Sequence, residues 1–139
     1  MPIEDLARSD VVTADRDTSV AALATAMRDE EVGSIVITDG ETPVGIVTDR
    51  DLAVRVLGAG ADPETQTAAD VMSGDLCLVD RDAGFYEAAE LMSEHGVRRL
   101  PVRDGDSLVG IITADDLTEL LADEEQKLAE IIRAQRPAY

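Results

Sequence analysis

The sequence predicts a mixed α/β (α+β) fold made of two pseudo-symmetric β-α-β-β-α repeats packed into one body. Three observations predict it. First, residues from about Asp5 to Val56 align without a gap on residues from about Asp70 to Leu121, at a constant offset of 65. The best anchor is GIVTDRD, Gly45 to Asp51, which returns as GIITADD, Gly110 to Asp116. Asp15-Arg16-Asp17, Met27, Val32 and Asp39-Gly40 likewise return as Asp80-Arg81-Asp82, Met92, Val97 and Asp104-Gly105. Second, both copies alternate helical and strand periodicity in the same order. Third, 139 residues suit one domain, whereas a repeat of about 50 residues buries too little apolar area to be robust alone. The period is too long and the copies too few for a solenoid. Two half-domains are therefore expected to share one core, with a cleft near their twofold axis.

The elements follow in order. Residues 1–60 form the first copy, 61–69 a linker, 70–125 the second copy, and 126–139 a helical extension and tail. After Asp5-Leu6 comes an extended piece near Val11-Val12. Thr18 is expected to cap a helix to about Glu30, with Val20, Leu23, Ala24 and Met27 on its apolar stripe. Ser34–Thr38 and Val44–Val47 read as strands of a hairpin turning at Asp39-Gly40. Asp49–Leu57 reads as a second helix, and GAGADPETQT, from Gly58, as polar linker. In the second copy Ala68–Met72 gives a helical turn and Cys77–Val79 is extended. Asp82 is expected to cap a helix to about His95 that buries Phe85, Ala88, Ala89 and Met92. Leu100–Arg103 and Leu108–Ile112 pair across Asp104-Gly105. A last helix starts near Ala114 and runs to about Arg133, its acidic start and its Lys127 and Arg133 suiting the helix dipole. Its length beyond the repeat is available to cover an edge or meet a second subunit. Pro137 ends helix-compatible sequence. Apolar runs such as GIVT and VGIIT predict strands buried on both faces.

Composition narrows the partners. The formal net charge is −18, and Phe85, Tyr86 and Tyr139 are the only aromatic residues. A nucleic-acid binder needs a basic groove and stacking platforms, and an anionic membrane would repel such a chain; neither partner is expected. Eleven arginines and one lysine face thirty acids. Salt screens self-repulsion of this size, so a salt-rich cytoplasm is the simplest setting. Cys77 is the only cysteine, which rules out an intramolecular disulfide, and it reads as a core residue. The polar N-terminus and the lack of any membrane-length apolar run predict a soluble, intracellular protein.

The repeated motif carries the chemistry. Thr48 and Asp51, and again Thr113 and Asp116, stand three apart at a strand-to-helix junction. One reading is a capping box, with Thr as N-cap and the carboxylate returning to its amide. The other is a nucleotide site: helix N-terminal amides attract phosphate, a carboxylate accepts both hydroxyls of a ribose, and Thr bonds ribose or phosphate. Both readings stand from the residues alone. The remaining candidates read as structural. His95 falls at a helix end, residues 58–60 lack the Lys-Ser/Thr of a phosphate loop, no clustered metal ligands occur, and no nucleophile–base pair is evident. The chain is not expected to be an enzyme.

With GIVTDRD and GIITADD each following a hairpin, and with DRDTSVAALATAMRDEEVGSIVITD, DRDAGFYEAAELMSEHGVRRLPVRD and Leu100-Pro101-Val102, the chain resembles a tandem cystathionine-β-synthase (CBS) domain protein, or Bateman module. The resemblance runs from about Asp5 to Leu121. It implies a regulatory module that binds AMP, ADP or ATP, with Mg²⁺ where a polyphosphate brings it, or S-adenosylmethionine, and that requires no cofactor. In such modules the motif aspartate holds ribose hydroxyls, here Asp51 and Asp116, and the motif threonine contacts ribose or phosphate, here Thr48 and Thr113. Adenine is lined by the extended piece, partly through backbone groups, implying Thr13 and Ala14 in one copy and Leu78 and Val79 in the other. The hairpin start, Ser34 and Ile35 or Arg99 and Leu100, faces base or phosphates. Cations differ between the copies. Arg50 stands where the second motif has Asp115, and Arg98-Arg99 stand where the first copy has Gly33-Ser34, so Arg98 or Arg99 is expected either to reach a ligand held mainly by the first motif or to pair with the abundant surface carboxylates. The site around Thr48, Arg50 and Asp51 is favoured. The resemblance further implies a homodimer, for which Met27, Met92 and the helical faces are candidates that core packing explains equally, and a separate effector protein. A docking protein with unused clefts is the alternative.

Overall fold

The computed structural model describes residues 2–136; the helix stop expected at Pro137, and Tyr139, lie outside the described residues. The element order is β-α-β-β-α twice. In the first copy β1 (Thr13–Ala14), α1 (Val20–Glu30), β2 (Ser34–Asp39) and β3 (Thr42–Thr48) lead into α2 (Asp49–Asp51), which continues as a π-helical stretch, Leu52–Leu57. After a short α3 (Ala68–Val71), the second copy has β4 (Val79–Asp80), α4 (Phe85–His95), β5 (Arg99–Asp104), β6 (Ser107–Thr113) and α5 (Ala114–Gln135). Each sheet has three strands, β1-β2-β3 and β4-β5-β6, with a parallel first pair and an antiparallel hairpin. The duplication is kept to the residue. Ser34 pairs with Thr48 as Arg99 pairs with Thr113, and each hairpin shifts register at the equivalent place, Ile37/Thr38 and Val102/Arg103.

Several local expectations are corrected. Ser19, not Thr18, caps α1, accepting the Ala22 N–H at 3.1 Å; the Thr18 hydroxyl donates instead to Asp15 Oδ1. Asp82 does not cap α4, because the helix begins three residues later at Phe85 and its N-cap is Gly84, which has no side chain to offer. On α1 the stripe is Val20, Leu23 and Met27, while Ala24 is exposed and Ala26 packs on the core. Phe85 and Ala89 are half-buried against the core rather than inside it. The second helix of the first copy is α-helical only at its start. Gly58 N–H then reaches the Ala53 carbonyl, five residues back, and this wider winding buries Val56 and leaves Leu57 exposed. Strand β3 is buried or half-buried from Pro43 through Thr48 as expected, whereas Val109 in β6 is exposed.

The single shared core is also corrected. Two apolar clusters exist, one per copy, and each is completed by a segment from the other. Ile3, in a 3-10 turn at the start of the first copy, is fully buried among Val79, Ala88, Leu100 and Ile112 of the second. Its offset partner Ala68 is fully buried among Leu23, Ile35 and Val47 of the first. Backbone bridges hold both straps. Arg8 pairs with Ile111 just as Ser73 pairs with Ile46, and Pro2 with Gly84 as Thr67 with Ser19. The motif glycines admit this crossing. A Cβ at Gly110 would lie 2.9 Å from the Arg8 carbonyl oxygen, and one at Gly45 would lie 3.1 Å from that of Ser73. A side chain at Gly110 would have to displace the strap backbone, and one at Gly45 would push on the Met72 side chain and the strap. Exchange of straps and contact between β3 and β6 join the copies.

The charge is carried outside. No polar or charged residue is buried among the described residues, and each ion pair includes a well-exposed side chain, such as Arg103–Asp80 at 2.8 Å and Arg81–Asp104 at 3.2 Å. Such pairs contribute little against the repulsion of thirty acids. The thermal midpoint is therefore expected to rise between about 0.1 M and about 1 M KCl, as the Debye length falls from about 10 Å to about 3 Å. A scan at constant pH checks this; a midpoint that falls with salt would mean that attractive pairs dominate.

Candidate functional site

Both repeated motifs are capping boxes of the same geometry. Asp51 Oδ2 accepts the Thr48 N–H at 2.9 Å, and Thr48 Oγ1 accepts the Asp51 N–H at 3.2 Å. Thr113 and Asp116 repeat both bonds at the same distances. A third box, Thr67 with Asp70, lines neither cleft, so capping alone is no mark of a site. What distinguishes the first two is their position, since each opens onto a cleft between the copies.

The first cleft, about 250 Å³, joins Ile46, Thr48 and Asp51 of the first copy to Ser73, Asp75, Leu76, Cys77, Val97, Arg98, Arg99 and Pro101. Ile46, Leu76, Cys77, Val97 and Pro101 supply the apolar part of the lining, and the Thr48–Asp51 helix start, Asp75 and two guanidiniums the polar part. The Asp51 carboxylate is mostly buried, and Oδ1, which the cap does not use, has Arg55 Nε at 3.9 Å. Apolar side chains, two carboxylates and two guanidiniums around one cleft supply the chemistry to bind a heterocycle, a diol and an anion.

The second cleft, about 400 Å³, is its pseudo-symmetric counterpart and is the more acidic: four carboxylates face two guanidiniums in it, whereas the first has two of each. Arg8, Asp10, Val11 and Val12 replace Ser73, Asp75, Leu76 and Cys77, and Gly33 and Ser34 replace Arg98 and Arg99. Glu30, Glu31 and Asp115 add negative charge. Arg8 Nη2 stands 3.4 Å from Asp116 Oδ1, so the carboxylate oxygen left free by the cap is already engaged. Glu31 reaches this wall because it ends α1 in the left-handed conformation, φ 55°, where the second copy has Gly96 at φ 63°. Arg99 lines both clefts. A Cβ on Gly33 would meet its Nη2 at 3.3 Å and Asp49 Oδ2 at 3.2 Å, so glycine at 33 leaves room for the guanidinium.

The sequence-derived residues divide accordingly. Thr48, Asp51, Arg98 and Arg99 come together in the first cleft, while Thr113 and Ser34 line the second. Arg50 is exposed and lines neither, since it follows the cap onto the outer face of α2, where its N–H donates to Asp49 Oδ1. Ile35 and Leu100 are fully buried in the two cores, as is Val79 at 2% exposure, so they offer a ligand no side chain. Ala14 and Leu78 are half-buried, and Thr13 is exposed in β1 beside Glu41 and Ser107. The lining of the extended piece falls two residues upstream of the expected positions, at Val11-Val12 and Leu76-Cys77, because by Thr13 and Val79 the chain has entered the sheet. Sequence reasoning also missed Ser73, Asp75 and Arg8. The offset of 65 pairs Arg8 with Ser73, but only the strap crossing brings either to a motif.

Cys77 is half-buried and packs on the second core, as expected, yet it also faces the first cleft. Burial, and secondarily the Glu94 carboxylate, push its thiol above the ordinary value. The reactive thiolate is thereby suppressed at neutral pH. Iodoacetamide is expected to label Cys77 several-fold more slowly than an unfolded-chain control at pH 7.5, the gap narrowing as pH rises through the thiol's titration. Equal rates at neutral pH would refute the burial. His95 Nδ1 lies 3.0 Å from the Leu91 carbonyl, a helix-end contact. Among the described residues no group of three or more His, Cys, Asp or Glu is placed to hold a metal ion, and no helix is long and apolar enough to cross a membrane.

Comparison with known proteins agrees with this architecture. The CBS domain profile matches residues 3–58 and again 68–123. A protein of Methanopyrus kandleri is 37% identical over 120 residues, covering 85% of this chain and 61% of that one, so the chain spans less than two thirds of that relative. Hypoxic response protein 1 of Mycobacterium tuberculosis is 33% identical over 131 residues, covering 94% of this chain and 90% of the relative. The crystal structure of Hypoxic Response Protein I, with two coordinated zinc ions, superposes with a TM-score of 0.78 at 33% identity, covering 86% of this chain and 98% of that one. Matched in both repeats and along nearly its whole length, the chain belongs to the CBS-domain family as a Bateman module, a non-catalytic regulatory unit.

Proposed function

We propose that the chain senses an adenosine nucleotide, AMP, ADP or ATP, in the first cleft and regulates a separate effector protein in a salt-rich cytoplasm. One observation carries this reading: the first cleft alone combines apolar lining, an Asp51 oxygen unused by the cap, and Arg99 with Arg98 for phosphate, Arg98 giving up its 3.4 Å contact with Asp115 to do so. Arginine forks bind phosphate strongly and directionally. They also disfavour the sulfonium of S-adenosylmethionine relative to AMP. Binding across the cleft touches both copies and so favours one arrangement of them, as coupling to an effector requires. A homodimer belongs to the same proposal.

Calorimetric titration with AMP, ATP and S-adenosylmethionine, in molar KCl with Mg²⁺, tests it. Saturation at one nucleotide per chain is expected, with AMP or ATP ahead of S-adenosylmethionine. No heat and no thermal shift with any of them, on folded protein, would favour the second reading, a docking protein. That reading rests on the capping boxes, which give Thr48, Asp51, Thr113 and Asp116 a structural role without any ligand.

A further inference from the structure

The two guanidiniums of the first cleft face a second space as well. Arg98 and Arg99 also line a smaller hollow, about 170 Å³, with Thr113, Ala114 and Asp115 at the start of α5. A phosphate held by these arginines therefore stands beside that hollow, and a longer phosphate chain has it to extend into. The two arginines differ. Arg98 is well exposed and has Asp115 Oδ1 at 3.4 Å. Arg99 is half-buried, and among the described residues its side chain is in no hydrogen bond or ion pair. One phosphate can thus take Arg99 without breaking any pair, and it gains Arg98 only in competition with Asp115.

The hollow offers a further phosphate little. Free amides at a helix start attract anions, but those of α5 are mostly taken. The Ala114 N–H donates to the Arg98 carbonyl at 2.8 Å, and the Asp116 N–H donates to Thr113 Oγ1 at 3.2 Å. The Asp115 N–H remains, beside its own carboxylate. At this position the first motif carries Arg50, so the second copy has an acid where the first has a cation. Like charges set face to face at a binding site discriminate strongly between partners. We propose that Asp115 makes the first cleft selective for a nucleoside 5′-monophosphate, AMP over ATP, by repelling the second and third phosphates. The proposal rests on the nucleotide reading of the first cleft and narrows it to one class of ligand.

Titration with AMP, ADP and ATP in molar KCl, first with EDTA and then with Mg²⁺, tests it on wild type, Asp115→Asn and Asp115→Arg. Circular dichroism checks folding; Asp115 is exposed and takes no part in the cap, so both variants are expected to fold. At about 1 M salt the Debye length is about 3 Å, so distant charge is screened and selectivity reports carboxylates close to the phosphates. AMP is expected to bind wild type at least about tenfold more tightly than ATP, with ADP between them. Asp115→Asn is expected to bring that ratio below about threefold, and Asp115→Arg to reverse it. An unchanged ratio in Asp115→Asn would overturn the proposal, because Asp115 would then only hold Arg98 back. Wild type that binds AMP and ATP alike would overturn it too. So would ATP ahead of AMP once Mg²⁺ is present, which would make the carboxylate a metal ligand. These outcomes leave the nucleotide site standing, whereas wild type that binds none of the three overturns both.

Discussion

Ile3→Ala is expected to destabilise the protein by about 2–5 kcal/mol, the range for emptying a fully buried aliphatic site. The size is unusual for a residue so near a terminus, where truncation is generally tolerated. Ile3 is 0% exposed, and its N–H donates to the Ala83 carbonyl at 2.8 Å. The side chain belongs to the core of the second copy although its residue belongs to the first. Against a stability of about 5–15 kcal/mol for a domain, the loss is large, and the thermal midpoint is expected to fall on the order of 10 °C. Asp5→Ala, two residues on and exposed, is the control and should stay within about 0.5 kcal/mol. Hydrogen exchange should localise the effect: amides of α4 and β5 lose protection before those of α1 and β2, because the cores are separate. A midpoint unchanged by Ile3→Ala would mean that the strap is not docked in solution.

Asp51→Asn is expected to weaken nucleotide binding between about tenfold and about a hundredfold, the worth of hydrogen bonds to a charged acceptor. The asparagine keeps an oxygen for the Thr48 N–H, so the cap survives and the comparison is made on folded protein. What it loses is the free carboxylate oxygen, which becomes an amide donor facing the ribose hydroxyls and Arg55. Asp116→Asn is expected to leave affinity unchanged, because Asp116 already pairs with Arg8, a residue of the acidic cleft. Titration of both variants in molar KCl reads the difference. A loss confined to Asp116→Asn would move the site to the second cleft, and binding unaffected by either would return both aspartates to capping alone.

The candidate site was legible in proportion to how local its determinants are. Thr48, Asp51, Thr113 and Asp116 are visible because a cap and its helix lie within four residues of one another. The pairing of Arg98 and Arg99 with the first motif was reachable from the duplication, since a pseudo-twofold cleft sets the hairpin start of one copy against the motif of the other. Arg50 misled because adjacency in sequence to a motif aspartate does not set direction; on the first turn of a helix the neighbouring side chain points about 100° away. Along the extended pieces the cleft lining lies two residues before the expected positions, because nothing in an unbroken apolar run such as Cys77 to Val79 marks where solvent gives way to sheet.

By itself the sequence determined the duplication, the order of elements in each copy, the hairpin turns, the two capping boxes and an acidic surface. All are set by interactions within a few residues or by composition. Only the tertiary structure decided that the copies keep separate cores, that Ile3 and Ala68 are exchanged between them, and that Gly45 and Gly110 are bare so that the exchanged straps can cross. It alone decided that one cleft balances two arginines against two acids while the other is acidic. These depend on contacts between residues tens of positions apart. There the free energy lies in apolar area buried and charges brought together by the assembled chain, and no local pattern records which partner a buried side chain will meet.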